Sequence, residues 1–193
     1  MINSDQKVLV AGHSFISRLS RWIEDQQEVV PVVGGRQVYF CGASGEKVLG
    51  LERSLEAVMR GNQYTCVVLE IGSNDLCSAK VTAEVVAGGI YQLAKTLQET
   101  YNVNSVVMFE ILNREEGCRY SKWMEVSLEE YNQRVQSVNE TLRGWCERVA
   151  GITFRTHKRE AKRLDDDGVH IRPVWMKHYW RSVEQAIMAH LSS

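Results

Sequence analysis

The sequence is poor in the residues that mark the more specialised classes of protein. Only 2 of its 193 residues are proline, and no Ser/Pro/Gly-rich or low-complexity stretch divides it, which excludes a stalk or a long linker. Its 5 cysteines, Cys41, Cys66, Cys77, Cys118 and Cys146, are odd in number, scattered and without a C-x-x-C pair. That spacing excludes a disulfide framework and predicts reduced thiols, mostly core fillers, as in a cytoplasmic protein. Formal net charge is -1, so there is no global basic field to collect nucleic acid or an acidic membrane. No apolar run approaches the ~20 residues of a membrane span, and residues 1–7 lack the apolar core of an export signal. No internal repeat is visible. What is left, 44% hydrophobic and 24% charged residues, is an ordinary globular composition. It predicts one domain, 1–193, with a good core.

Apolar periodicity supplies the frame. Lys7 to Gly12 reads as a strand and runs straight into a helix whose stripe is Ile16, Leu19 and Ile23, with Arg18 and Arg21 off the stripe and solvated. Gly34-Gly35 breaks the chain before a second strand, Gln37 to Cys41. Val48, Leu51, Leu55 and Val58 mark the next helix. Tyr64 to Ile71 is a nearly continuous β-branched run, the mark of a strand buried on both faces. A long helix follows from Val86 to Tyr101, then a fourth strand from Ser105 to Leu112 and an irregular stretch from Asn113 to Val126. Ser127 and Glu130 form a capping-box signature ahead of the clearest helical stripe, Leu128 to Val149. A short strand at Gly151 to Phe154, a charged loop from His157 to Asp167 and a last helix from Met176 to Leu191 complete the chain. Strands and helices alternate throughout. The expected fold is a doubly wound, flavodoxin-like α/β/α domain of about five parallel strands.

In such a fold ligands sit at the carboxyl ends of the strands. Four loops fall there: Gly12-His13-Ser14, Gly42-Ala43-Ser44-Gly45, Gly72-Ser73-Asn74-Asp75 and Asp167-Gly168-Val169-His170. Together they hold the parts of a serine hydrolase. Ser14 lies at a strand end and a helix start, where it serves as nucleophile or, on the blander reading, as a helix cap. His170 is the candidate base, and Asp167, three residues before it, the acid that orients it; Asp165 and Asp166 read as a solvated acidic turn. Ser14 N–H, Gly45 N–H and the Asn74 amide are oxyanion donors.

These four blocks resemble the SGNH (GDSL-type) hydrolase family. Ser14 matches its nucleophile, Gly45 its oxyanion glycine, Asn74 in Gly72-Ser73-Asn74-Asp75 its oxyanion asparagine, and Asp167-Gly168-Val169-His170 its D-x-x-H. The blocks occur in family order across nearly the whole chain. The resemblance implies a carboxylic-ester hydrolase that acts on small-molecule or lipid esters without a cofactor. Gly12-His13-Ser14-Phe15-Ile16 with Arg18-Leu19 is also similar to the esterase domain of retrotransposon first-reading-frame proteins. That likeness implies that nucleic acid is bound by other segments and not by this one. One residue departs from the family pattern: His13 stands where the family has Asp.

The remaining candidates are weaker. Tyr120, Trp123 and Trp175 could wall a substrate pocket. His157 to Arg163 reads as a solvated loop, His178 and His190 as surface residues, Cys77 as inert and Asp75 as a turn stabiliser. No ligand spacing supports a metal site. Two alternatives differ in class from the esterase. One is a non-catalytic interaction module, supported only by His13. The other is a nucleotide or phosphate binder using Gly42 to Gly45 as a cradle. A sheet-edge or helix-face homo-oligomer is compatible with all three.

Overall fold

Alternation along the strands decides the architecture. In β1 (Lys7–Gly12) Val8 and Val10 are buried on one face, Leu9 and Ala11 on the other. β4 (Tyr64–Glu70) repeats this, with Cys66 and Val68 on the first face and Val67 and Leu69 on the second. Strands buried on both sides need helices on both sides. The computed structural model, which describes residues 6–26, 30–116 and 123–190, has that form. One core lies under α1 (Ser14–Asp25) and α5 (Met176–Ala189), the other under α2 (Val48–Met59), α3 (Ala83–Glu99) and α4 (Leu128–Cys146).

The sheet order is β2 (Val32–Val33), β3 (Arg36–Gly42), β1, β4, β5 (Ser105–Phe109) and β6 (Ile152–Arg155). Five strands, β3, β1, β4, β5 and β6, run parallel as expected. The sixth, β2, is a short antiparallel edge that the sequence reading did not include. Gly34 and Gly35 both have positive φ, 57° and 80°, and so form the tight turn that pairs Val33 with Arg36. β5 also stops earlier than expected. Beyond it the Asn139 side chain of α4 takes over the ladder, accepting from Ile111 N–H and donating to Ile111 C=O, both at 2.9 Å. The chain starts in the middle of the sheet, moves out to β3 and returns to β4 on the other side of β1. That reversal leaves a crevice at the carboxyl ends of β1, β3 and β4.

Candidate active site

β1 turns into α1 without a spacer. A Cβ on Gly12 would lie 2.1 Å from the Glu70 carbonyl oxygen, so only glycine lets the end of β1 close on β4. His13 N–H donates to that same carbonyl at 3.3 Å. His13 is the residue that caps α1, its Nδ1 facing Phe15 N–H at 3.5 Å. Ser14 is therefore not spent as a cap. Its Oγ lies 3.0 Å from His170 Nε2. As the first residue of α1 its N–H has no acceptor within the helix and sits at the positive end of the dipole.

The Asp167-Gly168-Val169-His170 segment folds back on itself. Asp167 Oδ2 is 2.7 Å from His170 Nδ1, while Oδ1 accepts from the backbone N–H of Val169 and of His170, each at 2.9 Å. Burial alone would raise the Asp167 carboxyl, but these hydrogen bonds hold it below the usual carboxylate range. Burial lowers the His170 pKa below its ordinary 6.5; hydrogen bonding to Asp167 opposes this, and Arg18 and Arg114 add to it. Burial also takes His13 down to about 4, against the pull of Glu70. Both imidazoles are thus neutral near pH 7. Asp166 is paired with Arg172 at 2.6 Å, in keeping with its reading as part of a surface turn.

The two remaining loops are locked to each other. Asn74, on the crevice wall, donates one Nδ2 hydrogen to Glu46 C=O at 2.9 Å. Gly45 has φ of +76°, which few other residues adopt without strain. The Asp75 carboxylate accepts from Val48 N–H at 3.2 Å and so caps α2 from a distance. With that helix terminus already facing a carboxylate, the Gly42 to Gly45 loop is a poor phosphate cradle.

These elements enclose a cleft of about 330 Å³ whose wall includes Ser14, Gly45, Asn74, Val169 and His170. Trp123 stands on its rim, 71% exposed. Trp175, expected on the pocket wall, is not among the residues lining the cleft: its ring lies under the Arg163 guanidinium at 4.6 Å and packs on the α1/α5 core. Tyr120 lies outside the described residues. Arg18, expected to be solvated, is half-buried on the cleft wall. Arg114 is buried on the same wall and was not anticipated at all. The signal available for it was its place just past a strand's carboxyl end. Among the described residues, no three His, Cys, Asp or Glu side chains gather as a metal-ligand set.

A second histidine–carboxylate pair is sealed in the core, in contact with the first through Phe15. The Phe15 ring packs edge-on against both His170 and Tyr179, with ring centroids 6.1 and 6.2 Å away. His157 Nε2 lies 3.2 Å from Glu70 Oε2, and its Nδ1 3.1 Å from Ser182 Oγ. The Tyr179 hydroxyl donates to the same Glu70 oxygen. The His157 ring is stacked between Phe109 at 4.0 Å and Tyr179 at 4.9 Å. His157 is therefore a core residue, which overturns its reading as part of a solvated loop. His190 likewise engages Thr153 Oγ1 at 2.9 Å and is part-buried.

No protein-family profile and no curated protein matches this sequence. Solved structures do. A GDSL-like lipase from Bacteroides thetaiotaomicron superposes with a TM-score of 0.73 at 16% identity, over 96% of this chain and 89% of that one. A carbohydrate acetylesterase family member from Sinorhizobium meliloti gives 0.74 at 15% identity, over 97% and 100%. The psychrotrophic esterase EstA from Pseudoalteromonas, in a structure inhibited by monoethylphosphonate, gives 0.56 at 18% identity, over 95% and 99%. The chain has the fold of the SGNH (GDSL-type) hydrolases, a mixed α/β domain built on one mostly parallel sheet.

Proposed function

We propose that this protein is a carboxylic-ester hydrolase that works through an acyl-enzyme on Ser14. One observation carries the reading: an unbroken line of contacts, 3.0 Å from Ser14 Oγ to His170 and 2.7 Å from His170 to Asp167, opening onto a cleft. Neutral His170 accepts the Ser14 proton at Nε2 as Oγ attacks the ester carbonyl. Asp167 holds the tautomer that leaves Nε2 able to accept, and stabilises the imidazolium that forms. The oxyanion is received by Ser14 N–H, Gly45 N–H and the second hydrogen of Asn74 Nδ2. His170 passes its proton to the departing alkoxide. Water then gives a proton to the same Nε2, attacks the acyl carbon and releases the acid, and Ser14 recovers its proton. No step needs a cofactor or a metal.

The cleft is near the small end of the ~300–1,000 Å³ typical of small-molecule sites, which favours acetyl and other short acyl groups. Names of the similar structures, lipase and acetylesterase among them, are in keeping with ester hydrolysis. A single working domain in the cytoplasm is part of the same proposal. Hydrolysis of p-nitrophenyl acetate, butyrate and octanoate tests it. The intact protein is expected to turn over acetate fastest, and Ser14→Ala to lose at least ~10³-fold. Equal near-background rates in two folded proteins would overturn the reading.

A further inference from the structure

The wall of the cleft carries charge that the hydrolytic steps do not use. Arg114 is 6% exposed. Its guanidinium stacks on the Tyr131 ring at 4.6 Å, and Nη2 donates to Ser73 Oγ at 3.4 Å. Its Nε is buried with no hydrogen-bond partner among the described residues. Arg18 and Lys47 line the same cleft. Among the described residues, none of the three cations takes part in an ion pair. Glu125, the acid on the wall, is turned to Ser78 Oγ and Ala79 N–H, both at 2.9 Å. The sequence that follows Arg114 holds no acid across residues 117–122.

A buried guanidinium without a counterion is costly to keep. The oxyanion is a poor explanation for it, because the proposed hydrolysis already assigns three neutral donors to that charge, which is transient. We infer that the cleft takes esters bearing a fixed negative charge, a carboxylate or a phosphate, with Arg114 as the buried anchor and Arg18 as its partner. This inference rests on Ser14 being the nucleophile of an esterase and names the substrate class of that site.

Three acetate esters of matched shape test it: para-acetoxybenzoate, para-acetoxyphenyl phosphate and the neutral para-acetoxybenzamide. The anionic esters are expected to exceed the neutral one about tenfold in kcat/KM at low salt, mainly through KM, as charge-assisted hydrogen bonds allow. The carboxylate and phosphate arms identify the preferred anion. Arg114→Gln and Arg18→Gln should each lower the anionic-to-neutral ratio, and Arg114→Lys should restore part of it. If Arg114→Gln fails to fold, Arg18→Gln carries the test. A ratio near one in the intact protein, or a ratio unmoved by both substitutions, overturns the inference; so does an equal loss of kcat on all three esters in Arg114→Gln, the mark of an oxyanion role. Calorimetry on Ser14→Ala keeps the two readings separate. Binding of para-acetoxybenzoate but not the benzamide, lost with Arg114→Gln, upholds the anion site even if no ester is turned over. Turnover of neutral esters without that binding overturns the anion site and leaves the esterase.

Discussion

Two histidine–carboxylate pairs lie within one side chain of each other, and their surroundings give them opposite characters. His170 and Asp167 sit on a loop at the cleft, with a serine hydroxyl on the open side of the imidazole. His157 and Glu70 sit between aromatic rings, with Tyr179 and Ser182 occupying what would be the reactive positions. The chemical groups are nearly the same. On the proposed mechanism, what separates a base from a brace is whether the second ring nitrogen faces a serine hydroxyl beside a cleft or another packed side chain. His13 belongs with the braces. It holds the start of α1 and leaves Ser14 Oγ aligned with His170, so a histidine in this place is compatible with a working site.

Crossing the two pairs sharpens the contrast. Asp167→Asn should cut ester turnover about 10⁴-fold by releasing the wrong imidazole tautomer, while shifting urea stability by less than ~1 kcal/mol. Glu70→Ala should do the reverse: a loss of about 3 kcal/mol in urea unfolding from stranding His157 and Tyr179, with kcat of the folded protein within about threefold of the parent. A large kcat loss in Glu70→Ala would merge the two pairs into one catalytic unit. Asn74→Ala should lower kcat by about 10²-fold, the usual cost of one oxyanion donor.

A further effect concerns pH. Unfolded His13 takes up its proton near 6.5, whereas the folded residue resists until about 4. Between those values the unfolded state binds more protons, so stability is full above about 6.5 and falls as the pH drops towards 4. The drop attributable to His13 is about 3 kcal/mol at most. His13→Asn should flatten that part of the urea-stability profile, and an unchanged profile would assign the loss to other groups.

Three of the four loops were legible in the sequence because each is short, continuous and directly follows an apolar strand run; the fourth, Asp167 to His170, comes after a charged loop and was legible from its Asp-x-x-His spacing. Ser14, Gly45, Asn74, Asp167 and His170 could be picked out for those reasons. Arg114 could not, because its place depends on α4 bringing Tyr131 beneath it and on β4 bringing Ser73 alongside. His157 was hidden in a run of charged residues, and its burial is decided by β5 and α5, far away in the chain. Trp175 misled because closeness to His170 in sequence does not set the direction of its ring. The two-residue strand β2 is too short to show any alternation at all.

Covalent labelling tests the account at its root. The protein and its Ser14→Ala and His170→Ala variants would be incubated with diethyl p-nitrophenyl phosphate and digested for mass spectrometry, across pH 5 to 8, a range that spans imidazole titration. A single diethylphosphoryl adduct on the Ser14 peptide is expected, absent from Ser14→Ala and slowed in His170→Ala. Because burial lowers the His170 pKa, labelling should fall off only below the ordinary histidine value of 6.5. A folded protein that takes no adduct, or takes it on another residue, would contradict the assignment of Ser14 as nucleophile.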